Sequence, residues 1–158
     1  MKFFIAGIMQ GSKVAASLHA QNYRDELVRA IQKRFPDAEI YDPLEKNQNS
    51  LTYDFKNGRD VFLNHNRMCG EEIDVLVAYA PEASMGTAIE MWEAWKNDAR
   101  VLTISPMTAN WVVKFLSDAQ FDDLDAFYEA LESGAVSKLL QERPPRRRKR
   151  SYENPDSY

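Results

Sequence analysis

Ile73-Asp74-Val75-Leu76-Val77-Ala78-Tyr79-Ala80-Pro81-Glu82-Ala83-Ser84-Met85-Gly86-Thr87-Ala88-Ile89-Glu90 decides the fold. In its first part, Asp74–Ala80, one acid leads an apolar run too short for a helix and rich enough in valine for a strand buried on both faces. Pro81–Gly86 then supplies turn residues, and Thr87–Asn97 takes up helical spacing, with Ala88, Met91, Trp92 and Trp95 expected on a packed side, the two tryptophans in the core or at a subunit interface. A buried strand, a tight turn and a helix form the repeating unit of a parallel α/β sheet.

The same unit recurs on either side. Lys2–Ile8 reads as a buried first strand closing on Gly7 and Gly11. Tyr23, Leu27, Ile31 and Phe35, with Val28 beside them, mark one face of a helix that Pro36-Asp37 ends. Glu39-Ile40-Tyr41 is a short strand stopped by Asp42-Pro43, and Val61, Phe62, His65 and Met68 have helical spacing. Between them, Leu44–Asn57 is polar and irregular, with the makings of a lid or substrate loop. Arg100–Ile104 is a fourth strand. Asn110–Ser117 and Leu124–Leu131 read as helices, with a short fifth strand near Gln120-Phe121. The expected fold is therefore a flavodoxin-like, doubly wound parallel sheet of about five strands.

The chain has 158 residues, the size of one domain. Residues 1–142 make up that domain. Residues 143–158 form a basic tail, Arg143 to Tyr158, with no apolar periodicity and a composition expected to be disordered. The tail is a solvated extension, a docking or localisation signal, or a segment that folds back onto the acidic body. It holds six Lys/Arg, which leaves 14 bases against 22 acids elsewhere, a net charge of −8. Such a body argues against a nucleic-acid-binding face, because phosphate backbones demand basic surface. A small phosphorylated ligand needs only a few local donors. One cysteine, Cys69, excludes an intrachain disulfide and fits a reducing, cytoplasmic setting. No run approaches the roughly 20 apolar residues of a membrane span, and His19 and His65 lack the partner spacing of a metal site.

In a doubly wound sheet, ligands bind outside the carboxyl ends of the strands. The first loop there, Gly7-Ile8-Met9-Gln10-Gly11-Ser12-Lys13, has three residues between its glycines and ends Gly-Ser-Lys, so it is neither a Walker A loop nor GxGxxG. A plain strand–helix turn would look the same. The second is Ser84–Glu90. Gly86 lets a ligand approach the backbone, and Thr87 is placed to cap the helix. Glu90 then falls in the first turn, where amides and the helix dipole favour an ionised carboxylate. An ionised carboxylate beside a sugar carbon is what covalent glycosyl transfer needs. An ordinary capping box, Thr87-x-x-Glu90, has the same spacing.

The pattern Ser84-x-Gly86-Thr87-Ala88-x-Glu90 after the strand Ile73–Ala78, together with Phe4-Ile5-Ala6-Gly7-Ile8-Met9-Gln10-Gly11, resembles the nucleoside 2-deoxyribosyltransferase superfamily. In element order the resemblance spans most of residues 1–131. It implies a flavodoxin-like, cofactor-free homo-oligomer acting on a nucleoside or nucleotide. Some members exchange bases and others, the nucleoside 5′-phosphate N-hydrolases, release them. Glu90 matches the nucleophile that attacks C1′, while Gly7, Gln10 and Gly11 match the loop around sugar and base. Ser84 stands where deoxyribosyltransferases commonly carry an aspartate that holds the free 5′-hydroxyl. A serine can donate to a phosphate that a carboxylate would repel, which points to the 5′-monophosphate hydrolases. Asn66 stands where some members have an acidic proton donor, which leaves the general acid unassigned among Asp42, Asp54 and Asp60. Asn110, with Trp111, lies where the family often lends a residue to a neighbouring subunit's pocket, though a capping Asn110 reads equally well. Base exchange, or a nucleotide-binding module without turnover, are the competing functions. Cytokinin-activating phosphoribohydrolases share Gly-Thr-x-x-Glu, but the Pro-Gly-Gly that precedes it there is missing.

Overall fold

The computed structural model describes residues 1–9 and 21–143. Five strands, β1 (Lys2–Gly7), β2 (Glu39–Tyr41), β3 (Val75–Tyr79), β4 (Arg100–Ile104) and β5 (Ala119–Phe121), pair in parallel in the order β2-β1-β3-β4-β5. This is the flavodoxin-like order expected from the sequence. The centre is β1 against β3, paired from Phe3↔Val75 to Gly7↔Tyr79. Because side chains alternate along a strand, each central strand feeds two cores.

On one face α1 (Tyr23–Arg34), α6 (Leu124–Glu132) and α7 (Ala135–Glu142) cover Phe3, Ile5, Val75, Val77, Leu102 and Ile104. On the other, α3 (Phe55–Glu71) and α4 (Met85–Lys96) cover Phe4, Ala6, Leu76, Ala78 and Val101, with α5 (Trp111–Leu116) joining through Val112 and Leu116. No described helix is long and apolar enough to cross a membrane.

The structure departs from the sequence reading in four places. Leu44–Asn57 is not irregular: it holds α2 (Pro43–Lys46), a 3-10 turn at Ser50–Thr52 and the cap of α3, Asp54. Asn47 organises it, donating to the Pro43 carbonyl (2.9 Å) and accepting from the Tyr53 hydroxyl (3.2 Å). The helix α7 follows Gly134, whose left-handed φ of 82° turns the chain, and was absent from the sequence reading. Trp92 and Trp95 are not core. They stack on each other at the surface (5.4 Å) while Met91 and Ala94 face inward, because α4 is apolar on both sides and periodicity alone does not choose between them. Finally, α4 begins at Met85 rather than Thr87, with Ser84 as its N-cap. The tail beyond Arg143 lies outside the described residues.

Candidate active site

The sheet order reverses between β1 and β3, whose chains leave toward opposite faces, and this opens a crevice at their carboxyl ends. Arg24, 2% exposed, closes its floor. Its guanidinium donates to the carbonyls of Ile5 (3.1 Å) and Gly7 (3.3 Å), to Asp42 Oδ1 (2.8 Å) and to Gln21 Oε1 (2.7 Å). A buried cation is tolerable only with this degree of satisfaction. Gly7 has a packing reason to be glycine: an added Cβ would run into the Tyr23 hydroxyl and lie 3.2 Å from Arg24 Nη2. The space expected to admit a ligand beside its α-carbon is thus taken by α1. The Tyr23 hydroxyl is itself buried without a hydrogen-bond partner, and burial pushes it up to about 12 against the pull of Arg24.

Ser84 Oγ accepts from the Thr87 amide (3.4 Å) and from the Thr87 hydroxyl (3.0 Å). Thr87 is buried inside the helix and caps nothing. Glu90 therefore lies beyond the first turn, out of reach of the open amides, and the Thr87-x-x-Glu90 capping box does not form. The carboxyl is partly exposed, and no hydrogen bond or ion pair reaches it from the described residues. Loss of hydration pushes it up to about 8, with the nearby Arg24 charge pulling the other way. The first-turn argument for an ionised carboxylate is overturned: α4 begins at Met85, and loss of hydration favours the protonated form of Glu90.

Gly86 opens onto free space, with nothing within 4 Å of where a Cβ would stand. A cavity of ≈ 180 Å³ beside this loop is lined by Ala80, Ser84, Thr87, Met107, Asn110 and Val113, among others, so Ser84 and Asn110 share a site. Asn110 caps α5, accepting from the amides of Val112 (3.0 Å) and Val113 (3.3 Å). Its neighbour Trp111 is 77% exposed.

Asn66 donates to the Phe62 carbonyl one turn back (2.8 Å), which leaves its Oδ1 buried and without a partner. It lies one turn before Gly70, where an added Cβ would stand 3.2 Å from the Glu93 carboxylate of α4. Two of the three acid candidates are engaged elsewhere. Asp42 is buried in the Arg24 pair and also accepts from the Leu44 amide (3.0 Å). Asp54 caps α3 through the Asn57 amide (2.8 Å), and Asp60 is exposed on that helix. Gln10 and Gly11 lie outside the described residues.

His65 is the residue that sequence reasoning passed over as an ordinary helix-face side chain. Its Nε2 lies 3.3 Å from the Tyr41 hydroxyl and 3.4 Å from Asn47 Nδ2, and its ring meets Phe4 and Tyr41 edge-on. Burial, then the Arg24 charge, lowers its pKa, so it is neutral at pH 7. His65 and Glu90 both feel the one guanidinium. No local spacing announces this, because the partners come from β2 and the segment after it.

No protein-family model matches the chain, and no curated protein does. Solved structures do. A 2-deoxyribosyltransferase of the psychrotolerant bacterium Bacillus psychrosaccharolyticus superposes with a TM-score of 0.60 at 16% identity, over 94% of this chain and 99% of that one. A CMP N-glycosidase of Clostridium botulinum matches more loosely, with a TM-score of 0.46 at 11% identity over 84% of this chain and 99% of that one. Over nearly its whole length, the chain is therefore similar in fold to a solved 2-deoxyribosyltransferase, an enzyme of the superfamily whose motifs its sequence resembles.

Proposed function

We propose that the protein cleaves the N-glycosidic bond of a (2′-deoxy)nucleoside 5′-monophosphate, with Glu90 as nucleophile. The observation that carries this reading is the Glu90 carboxyl: dehydrated, unpartnered among the described residues, and held at the end of the sheet where such folds bind ligands. Once ionised, a Glu90 oxygen attacks C1′. The C1′–N bond breaks, and the base leaves with the bonding pair and takes a proton from water. Water then attacks C1′ of the glycosyl ester, returning the carboxylate and releasing the sugar phosphate.

Ser84 supports the phosphate assignment. Its oxygen accepts from the Thr87 amide, which leaves its own hydrogen to donate. Gly86, at the same helix start, has open space beside its α-carbon, and a helix N-terminus favours a phosphate. Asn66 and Asn110 are offered as further polar contacts to sugar or base, and the motif resemblance gives Gly7, Gln10 and Gly11 the same neighbourhood. No cofactor enters this chemistry.

Base release from matched nucleosides and 5′-monophosphates, with wild type and Glu90→Ala, tests the reading. Full activity in Glu90→Ala sinks the nucleophile. Binding of a monophosphate without any turnover would instead make the protein a nucleotide-binding module. Base exchange is the second reading, favoured by the likeness in fold to a deoxyribosyltransferase. Transfer of the sugar to an added acceptor base, in place of water, would establish it.

The active form is a cytoplasmic homo-oligomer. Ile89, Trp92 and Trp95 of α4 and Trp111 and Phe115 of α5 expose an apolar surface suited to a second copy. Sedimentation at micromolar concentration should show a dimer or larger, and Trp111→Glu should shift it toward monomer.

A further inference from the structure

On the face of the sheet away from Glu90, α1 and α6 leave between them a cavity of ≈ 550 Å³, lined by Glu26, Arg29, Ala30, Lys33, Tyr128 and Leu131, among others. This is the volume of a site for a small organic molecule. Its floor is apolar: Leu131 is buried in the core, and Ala30 and Tyr128 pack against it. Its rim carries three cations, Arg29, Lys33 and Arg34, against two acids, Glu26 and Glu132. Arg29 is exposed and makes no hydrogen bond or ion pair with any described residue. Lys33 is held only by Glu132, at 3.5 Å, in a pair in which both side chains are mostly exposed. Such a pair contributes little and releases its ammonium readily. In the wall, the Tyr128 hydroxyl is shielded from solvent and has no hydrogen-bond partner.

We infer that this groove binds a small organic anion with a flat apolar body. Its carboxylate or phosphate lies against Arg29 and Lys33, and its body lies over Ala30, Leu131 and the Tyr128 ring. A guanidinium suits either head group, since both present paired oxygens to its fork. The apolar floor excludes inorganic anions as good ligands, because they would leave it uncovered. The groove sits on a different layer from Ser84, Asn110 and Glu90, so the inference stands whether or not glycosidic cleavage does.

The test titrates the full-length protein with 2-naphthoate, 2-naphthyl phosphate and uncharged 2-naphthol, followed by amide NMR. The two anions are expected to shift amides of Arg29, Ala30 and Tyr128 with dissociation constants below about 1 mM. The neutral naphthol should bind at least tenfold more weakly. Arg29→Glu, an exposed change that leaves the core untouched, should weaken both anions tenfold or more. Arg59→Glu, on the opposite face, should leave them unchanged. Comparison of the two anions tells which head group the site prefers. Equal binding of 2-naphthol, shifts centred on α4 and α5, unchanged affinity in Arg29→Glu, or no binding at all would each overturn the inference.

Discussion

Two ionised-group sites lie within reach of each other at the carboxyl end of the sheet, and they have been solved in opposite ways. Arg24 and Asp42 are both buried and both satisfied: one guanidinium serves two strand carbonyls, an amide oxygen and a carboxylate. Glu90, on the other face, has lost much of its water and received no hydrogen bond from the described residues in return. A paired buried charge holds structure together. A dehydrated carboxyl without a partner is strained by its surroundings, and folds retain that kind of strain where chemistry uses it. The contrast supports the reading of Arg24 as architecture and the proposal of Glu90 as the reacting group, and it can be broken by experiment.

The largest effect should come from Glu90→Gln, which keeps the shape and removes the nucleophile: base release falls on the order of a thousandfold or more while the fold survives, as circular dichroism will show. Next is Arg24→Met. Leaving Asp42 buried alone costs about 3–5 kcal/mol, read as a collapse in the denaturation midpoint; a mild loss would mean that the pair is not the anchor described here. Ser84→Asp should lower kcat/KM for monophosphates by roughly tenfold to a hundredfold, and nucleosides far less, through repulsion of the phosphate.

The pH profile separates two roles for the same carboxyl. With Glu90 ionising at about 8, a nucleophile makes kcat/KM rise about tenfold per pH unit up to that point and then level off. A general acid would give the reverse, with activity lost above pH 8. The smallest effect is on stability. Between about pH 4.5 and 8 the native carboxyl keeps a proton that the unfolded chain releases, so wild type loses stability as pH rises through that window. Glu90→Gln has no such proton. Its melting temperature should pull ahead of wild type by about a few degrees by pH 8 and stay level above it.

The sheet was legible because strand runs such as Val75–Tyr79 and β1 are apolar without interruption, and because the helix α1 repeats its core residues every four positions. Glu90 was singled out through its motif. Its protonation state was not legible, since that depends on which side chains from distant segments crowd it. The Arg24–Asp42 pair spans 18 residues, and His65 finds its partners on other elements, so neither has a local signature. The cap was misassigned for a simpler reason: Ser84 and Thr87 are both good cap residues, and only the extended backbone at Ser84, with φ −136° and ψ 119°, shows which one the chain uses.

That cap carries an evolutionary consequence. Serine and aspartate start helices about equally well, so position 84 can change between them while α4 keeps its N-terminus. On the proposal that Ser84 faces the phosphate, the same exchange reverses the preference between a phosphate and a free hydroxyl. A lineage could therefore move between nucleotide and nucleoside substrates through a single residue, with every intermediate still folded and none needing a compensating mutation first.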